Sequence, residues 1–278
     1  MTWGIARYEA KMQLRSLVFW LALALVGLMF KSELWDEPVR GAKAALTYQK
    51  DPVTYLRYWK DPEGVKTEME ERLRVGYPSE TAADTWADRM QIVFAFATLF
   101  AAGFIFERDR LSKTKETLMA RPLGGREYAA GKFLGAVLPV LGAGLVVLAA
   151  GIACHAYIQG MLGLSWSAMP FLRAYLVMLV PTVLYSAAVV LALTAWLPRS
   201  AVAIPVFLLY EVAGGVAPLR AKGTFDITMF IARTENLGYS VWTDAVSALV
   251  LNRVFYLLLT AALLWLTARL LERRRAVL

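Results

Sequence analysis

Long uncharged apolar stretches, separated by short segments that hold most of the charge, constrain this chain more than any other feature. Of its 278 residues, 58% are hydrophobic and only 19% are charged. A soluble domain carries roughly half apolar residues. A helix needs about 20 mostly apolar residues to cross a bilayer core of about 30 Å. Six stretches fit: Ser16 to Leu34, Met90 to Phe106, Phe133 to about Tyr157, Ala174 to Leu197, Ala201 to about Leu219, and about Ala248 to Leu271. The expected fold is all-α. It is a polytopic membrane protein with six transmembrane helices in a single transmembrane domain over residues 1–278. Pro139, Pro181 and Pro205 lie inside these stretches, where neighbouring groups can re-satisfy the carbonyls that proline frees. The first stretch lacks a small-x-small cleavage site and runs into Lys31-Ser32-Glu33-Leu34-Trp35. It therefore reads as a retained span, not a cleaved signal.

The flanks set an expected orientation. Arg7, Lys11 and Arg15 recur every four residues along one helical face, with Tyr8 and Met12 on another. That pattern describes an amphipathic interfacial helix over residues 2–15. Basic residues mark the cytoplasmic side of a membrane protein. With the N-terminus inside, the inner segments hold Arg7, Lys11, Arg15, Arg108, Arg110, Lys113, Lys115, Arg121, Arg126, Lys132, Arg199, Arg269, Arg273, Arg274 and Arg275. The inner acidic residues are fewer: Glu9, Glu107, Asp109, Glu116, Glu127 and Glu272. The loop from Gln159 to Pro170 has no charge and suits the outer side. Both termini are expected in the cytoplasm. The net charge of +8 is accounted for by topology and by membrane lipid, and no nucleic-acid partner is expected.

Residues 31–89 are too long for a simple connector. They contain the acid-proline steps Glu37-Pro38, Asp51-Pro52 and Asp61-Pro62, which are helix start signals. Val65, Met69 and Leu73 share one face, and Glu68 with Arg72 and Glu70 with Arg74 are spaced for pairing. Gly76 is an expected stop, and Ser79 an expected start for a helix leading into the second span. A small helical extracytoplasmic cap is expected.

Catalytic machinery is not expected. His155 is the sole histidine and Cys154 the sole cysteine, which leaves no multi-histidine metal set and no internal disulfide. Gly131-Lys132 invites comparison with a phosphate-binding loop. However, five residues separate Gly125 from Gly131, and Phe133 follows the lysine where that loop needs Ser or Thr. No enzyme activity and no cofactor are expected in this chain. Glu211, in Leu209-Tyr210-Glu211-Val212, is the clearest carboxylate within a span, and Arg253 in the sixth stretch is its candidate partner. Charges at that depth are expensive and must pair, protonate or face water. The two are candidate translocation or intramembrane polar residues.

The charged segment from Phe106 to Gly135 is long enough for a short surface helix. It places Glu107 at the end of the second span, then Thr117-Leu118, Pro122, Arg126, Glu127 and Gly131-Lys132. This spacing resembles the permease (membrane) subunits of type-2 ABC exporters, although Glu116 stands where that family usually has glycine. The resemblance implies a transmembrane permease that exports a substrate across the cytoplasmic membrane of a prokaryote. ATP would be hydrolysed, with Mg, in a separate ATPase subunit present in two copies, and a second permease chain, identical or related, would complete the assembly. It also implies that residues 107–132 form a coupling loop docking on the ATPase, with Glu107, Glu116, Thr117, Arg121, Pro122, Arg126, Glu127 and Lys132 as its site residues. Gly131, Gly135, Gly142, Gly144 and Gly151 would allow close helix contacts within or between subunits. Two other readings stay open. The 31–89 cap suits a subunit that transmits ATPase motion to an extracytoplasmic partner without transport. The prolines within spans and Glu211 suit an ATPase-independent secondary transporter.

Overall fold

Apolar runs without water around them must satisfy their backbone groups internally, and every regular element among the described residues is a helix. The computed structural model describes residues 2–29, 31, 35–57, 59–111, 124–197, 202–209 and 246–276. The elements are α1 (Thr2–Leu14), α2 (Leu17–Met29), α3 (Glu37–Lys50), α4 (Pro52–Leu56), α5 (Pro62–Val75), α6 (Ser79–Gly103), α7 (Ile105–Leu111), α8 (Gly125–Leu162), α9 (Met169–Ala174), α10 (Val180–Trp196) and α11 (Val246–Ala276). A π-helical turn, Tyr175–Leu179, joins α9 to α10, and residues 202–209 are also helical.

Among the described residues, four helices are long and apolar enough to cross a membrane: Ser79–Asp109, Gly125–Leu162, Met169–Trp196 and Val246–Arg273. They correspond to the second, third, fourth and sixth expected spans. The structure thus supports four of the six. Of the first expected span, α2 with its 13 residues is described, and residues 30 and 32–34 of the span lie outside the described residues. Only residues 202–209 of the fifth are described. The helices also outrun the apolar stretches. α8 begins at Gly125, well before Phe133, and its 38 residues extend about 57 Å at 1.5 Å each. The residues from Gly125 to Lys132, expected in a loop, therefore form its first two turns.

The bundle core lies among α6, α8, α10 and the π-helical turn, where Trp86, Met90, Phe94, Leu99, Val140, Met178 and Leu179 are buried. α2 packs on α6, and α11 packs on α10 and α8. α1 makes its main contact with α8. Its buried face is Ile5, Ala6, Glu9 and Gln13, while Arg7, Lys11 and Arg15 are exposed. The helix expected to lie on the membrane surface is docked on the bundle through a face that contains a carboxylate and an amide.

The cap follows its sequence signals closely. Asp51 accepts from the Thr54 amide at 3.1 Å and Asp61 from the Gly64 amide at 3.0 Å, so both acid-proline steps cap helices. α3 starts at Glu37-Pro38 without a side-chain cap. Hydrogen bonds from the Thr54 hydroxyl and amide hold the Asp51 carboxyl below its ordinary range. A depressed folded value means that this stabilisation is present above the unfolded value and is lost as pH falls through the folded one. Gly76 ends α5 with a φ of 67°, a conformation that favours glycine. Met69 is buried between Val65, Leu73, Ala45 and Tyr48. Arg72 pairs with Glu68 at 2.9 Å as expected, but Arg74 pairs with Glu71 at 2.7 Å, not Glu70. Glu70 instead accepts from the Tyr48 hydroxyl at 3.2 Å, because burial of the Met69 face turns it toward α3. The cap rests on the far end of α8, where Val39 and Ala42 meet Cys154 and Ile158 and Trp35 stacks on Tyr157 with centroids 5.5 Å apart.

Of the five glycines expected at close contacts, four meet neighbours within this chain. A Cβ on Gly131 would lie 2.7 Å from Ile5 Cβ, and one on Gly135 would be closer still to Glu9 Cβ. Gly144 faces Tyr175 and Leu179, Gly151 faces Trp86, and Gly142 faces open space. Spaced four apart, Gly131 and Gly135 let the α1 backbone approach α8. Gly135→Val is expected to push α1 off α8, so that trypsin cuts the purified protein at Arg7 and Lys11 several-fold faster than in wild type. Gly142→Ala should leave the rate unchanged. Equal cleavage of Gly135→Val and wild type would mean that the close approach does not hold α1.

Candidate functional site

The end of the bundle that holds α1 buries several charges. Glu9 comes from α1, Arg108 and Asp109 from α7, and Tyr128 and Lys132 from α8. The Lys132 ammonium lies 2.5 Å from Glu9 Oε1 and 2.5 Å from Asp109 Oδ2. The Arg108 guanidinium pairs with the other oxygen of Glu9, and the Tyr128 hydroxyl donates to Asp109. Lys132 also sits 5.3 Å from the centroid of the Tyr128 ring, a cation–π distance. The side chains of Lys132, Glu9 and Asp109 are 0%, 1% and 4% exposed. Nearby, the Gln13 amide donates to the carbonyl of Ala101, so α1 is tied to the end of α6 as well. Two cations and two carboxylates balance, and both Lys132 partners lie at hydrogen-bonding distance. Buried charges need that compensation, because desolvation costs several kcal/mol per ion.

Local sequence explains the geometry. Glu9 lies four residues after Ile5 and four before Gln13, so all three share the face that meets α8. Lys132 lies one turn after Tyr128, which puts both on the side of α8 facing α7. Phe104 breaks the helix between α6 and α7, and this lets Asp109 turn inward. The cluster can join three segments mechanically. Among the described residues no group of three or more His, Cys, Asp or Glu side chains is placed to hold a metal ion.

The structure redistributes the expected coupling-loop residues. Lys132 is at the centre of the cluster. Glu107 is partly exposed and makes none of these contacts. Glu127 is exposed on α8. Arg126, with its side chain 69% exposed, lies 4.0 Å from Glu272 of α11, a surface pair worth little. Glu116, Thr117, Arg121 and Pro122 lie outside the described residues, and so does Glu211. Arg253 is buried in α11, where it donates to Gln91 Oε1 at 3.2 Å and to Met178 Sδ at 2.8 Å. In the sequence, Glu9 and Asp109 read only as inner-side charges. Their legible signal is an acid on an otherwise basic helix and an acid beside Arg108.

At the opposite end of the bundle His155 is buried. Its Nε2 is 2.8 Å from Ser79 Oγ, which also accepts from the Ser167 amide at 3.1 Å. No described carboxylate orients His155 Nδ1. The Ser–His contact therefore lacks the third member of a catalytic triad and ties α6, α8 and the following loop together.

Removing Lys132 tests the cluster. Lys132→Met would leave two buried carboxylates facing each other, a loss of about 3–5 kcal/mol. The thermal unfolding midpoint in detergent is expected to fall by several degrees. Glu127→Gln, on the exposed side of the same helix, should change stability by less than about 0.5 kcal/mol. An unchanged midpoint for Lys132→Met would mean that the cluster does not hold the three segments together.

The comparison with curated proteins returns no match. A family model, described as ABC-2 family transporter protein, matches residues 3–210. That match includes α1, the cap, the cluster and three of the four long apolar helices. The chain belongs to the ABC-2 family of transporter proteins, as a membrane permease subunit.

Proposed function

We propose that this chain is the transmembrane permease subunit of an ATP-driven exporter in the plasma membrane. The supporting observation is the family match over residues 3–210, in a bundle whose α1, α7 and α8 are tied together by buried charge. A separate ATPase subunit, in two copies with ATP and Mg, supplies the energy, and a second permease chain completes the assembly. The basic end of the bundle faces the cytoplasm with both termini, and the cap over residues 31–89 faces outward, in keeping with the distribution of basic residues. Force enters through residues 107–132. The exposed Arg126 and Glu127, together with Glu116, Thr117, Arg121 and Pro122, form the docking surface. Lys132 and Asp109 carry the displacement into the bundle as a rigid-body motion. Glu211 and Arg253 are polar groups of the translocation path. The cap's contacts with Cys154, Ile158 and Tyr157 of α8 favour a second reading, in which α8 passes ATPase motion to an outer partner. Substrate-stimulated ATP hydrolysis in reconstituted vesicles separates the two.

Topology is checked with single cysteines in a Cys154→Ala background. Val53 is 81% exposed on the cap, and Glu127 is exposed on α8. An impermeant thiol reagent added to intact cells is expected to label Val53→Cys and to spare Glu127→Cys. The reverse pattern would invert the orientation.

Docking is checked by charge reversal. Arg121→Glu combined with Arg126→Glu places negative charge where the ATPase is expected to present acid, while ample positive charge remains on that side for insertion. At equal membrane level, recovery of the ATPase that co-purifies with the wild-type chain is expected to fall at least several-fold. Undiminished recovery with undiminished transport would place the coupling contact elsewhere.

A further inference from the structure

At the cap end of the bundle, two buried polar atoms have no protein partner. Trp86 comes from α6 and His155 from α8, and they are 1% and 3% exposed. Trp86 Nε1 and His155 Nδ1 make no hydrogen bond among the described residues. Buried polar groups left alone are expensive, and each one calls for a reason. Both residues line one cavity of about 20 Å³, together with Gly151, Phe171 and, from the cap, Pro38. Phe171 packs against both rings, with centroids 6.3 Å from Trp86 and 5.3 Å from His155. Gly151 lies one turn before His155 on α8, and a Cβ there would come 3.1 Å from Trp86 Nε1. Its missing side chain leaves space beside the indole nitrogen.

Ser79 decides which ring nitrogen of His155 carries the proton. Its Oγ accepts from the Ser167 amide at 3.1 Å and lies 2.8 Å from His155 Nε2. A hydroxyl has one proton to give. Among the described residues, His155 Nε2 is the acceptor within its reach. With Ser79 donating, Nε2 is the bare nitrogen and the neutral ring holds its proton on Nδ1. The other tautomer would strand the Ser79 proton. Ser79 does not border the cavity, so the imidazole meets Ser79 on one side and the cavity on another.

An indole N–H and an imidazole N–H therefore call for one acceptor in one small space. A water needs about 10–15 Å³ of such space and at least two polar partners, and its oxygen has two lone pairs. An anion could accept the same two protons. However, no charged residue lines the cavity, and an unpaired buried charge costs far more than a buried neutral group. We infer that the cavity is a water site. One water accepts from Trp86 Nε1–H and from His155 Nδ1–H. It joins α6 to α8 beneath Pro38 of the cap, beside the direct Ser79–His155 bond. The site does not rest on the permease reading.

His155 is the sole histidine, so its ring signals are unambiguous in the magnetic resonance spectrum of protein labelled at the histidine and tryptophan ring nitrogens, in lipid nanodiscs. The wild-type chain is expected to show a protonated Nδ1, a bare Nε2 and a dipolar cross-peak from Nδ1–H to water. The Trp86 indole signal, identified as the one that Trp86→Phe removes, should show the same cross-peak. Gly151→Ala fills space beside the indole and should weaken both cross-peaks several-fold. Gly142→Ala, which faces open space, should leave them unchanged. A proton on Nε2, or on both nitrogens, in the wild-type chain would overturn the assignment. Protonated Nδ1 without a water cross-peak would overturn the water, and a shift of that signal on replacing chloride with gluconate would put an anion in its place. Full cross-peaks in folded Gly151→Ala would place the water outside this cavity. If Trp86→Phe or Gly151→Ala fails to accumulate, the wild-type His155 signals alone decide.

Discussion

The ammonium of Lys132, with no exposure to water and a carboxylate 2.5 Å away on each of two other helices, is the constraint on which the arrangement of this end of the bundle depends. An isolated charge at such a site would be prohibitive. Glu9 must therefore be delivered by α1 and Asp109 by α7. The glycines at 131 and 135 make the first delivery geometrically possible, because α1 must come within contact of the α8 backbone for the Glu9 side chain to reach. The break at Phe104 makes the second possible. A buried ion pair is weak evidence of stability in itself. Here it specifies which three segments meet and in what register, and it leaves the positive stripe of α1 exposed.

α8 gives that junction its reach. The helix begins beside Glu272 of α11, passes Lys132 within its first turns, contributes to the bundle core, and ends under the cap, where Cys154, Tyr157 and Ile158 meet α3 and Trp35. A continuous helix transmits displacement along its axis because its backbone hydrogen bonds run along its length. Pro139 is its one internal proline. The two ends of the molecule thus share one rod. On the far side, the Ser79–His155 contact and the Arg173–Glu80 pair fasten α6 and α9 to the same end of the bundle. α10 differs. It begins with a π-helical turn and a proline, and of the long apolar helices it is the one with the least regular backbone at its start.

The membrane character, the four long apolar helices, the caps at Asp51 and Asp61, the stop at Gly76 and the family resemblance of residues 106–135 are all legible in the order of residues. Each depends on neighbours within a few turns: an apolar run, an acid before a proline, a glycine after a helix. Helix ends are less legible. Arg126, Glu127 and Lys132 are charged, and a charged segment between two apolar runs reads as a loop. Yet they lie on a helix that extends well beyond the roughly 30 Å apolar core and is held there by α1 and α11.

What the sequence determined by itself is the solvent of the chain and its elements, because bilayer insertion and helix capping are decided locally by composition and spacing. What only the tertiary structure decided is which charges are buried. Glu9 and Asp109 look like any other acidic residue on a basic surface until α1 docks on α8. Arg253 looks like a lone charge in a span until Gln91 and Met178 approach it. Pairing energies depend on distance and on exclusion of water. For Glu9 with Lys132, and for Arg253 with Gln91 and Met178, both are properties of segments more than 70 residues apart, whose approach only the packed bundle fixes.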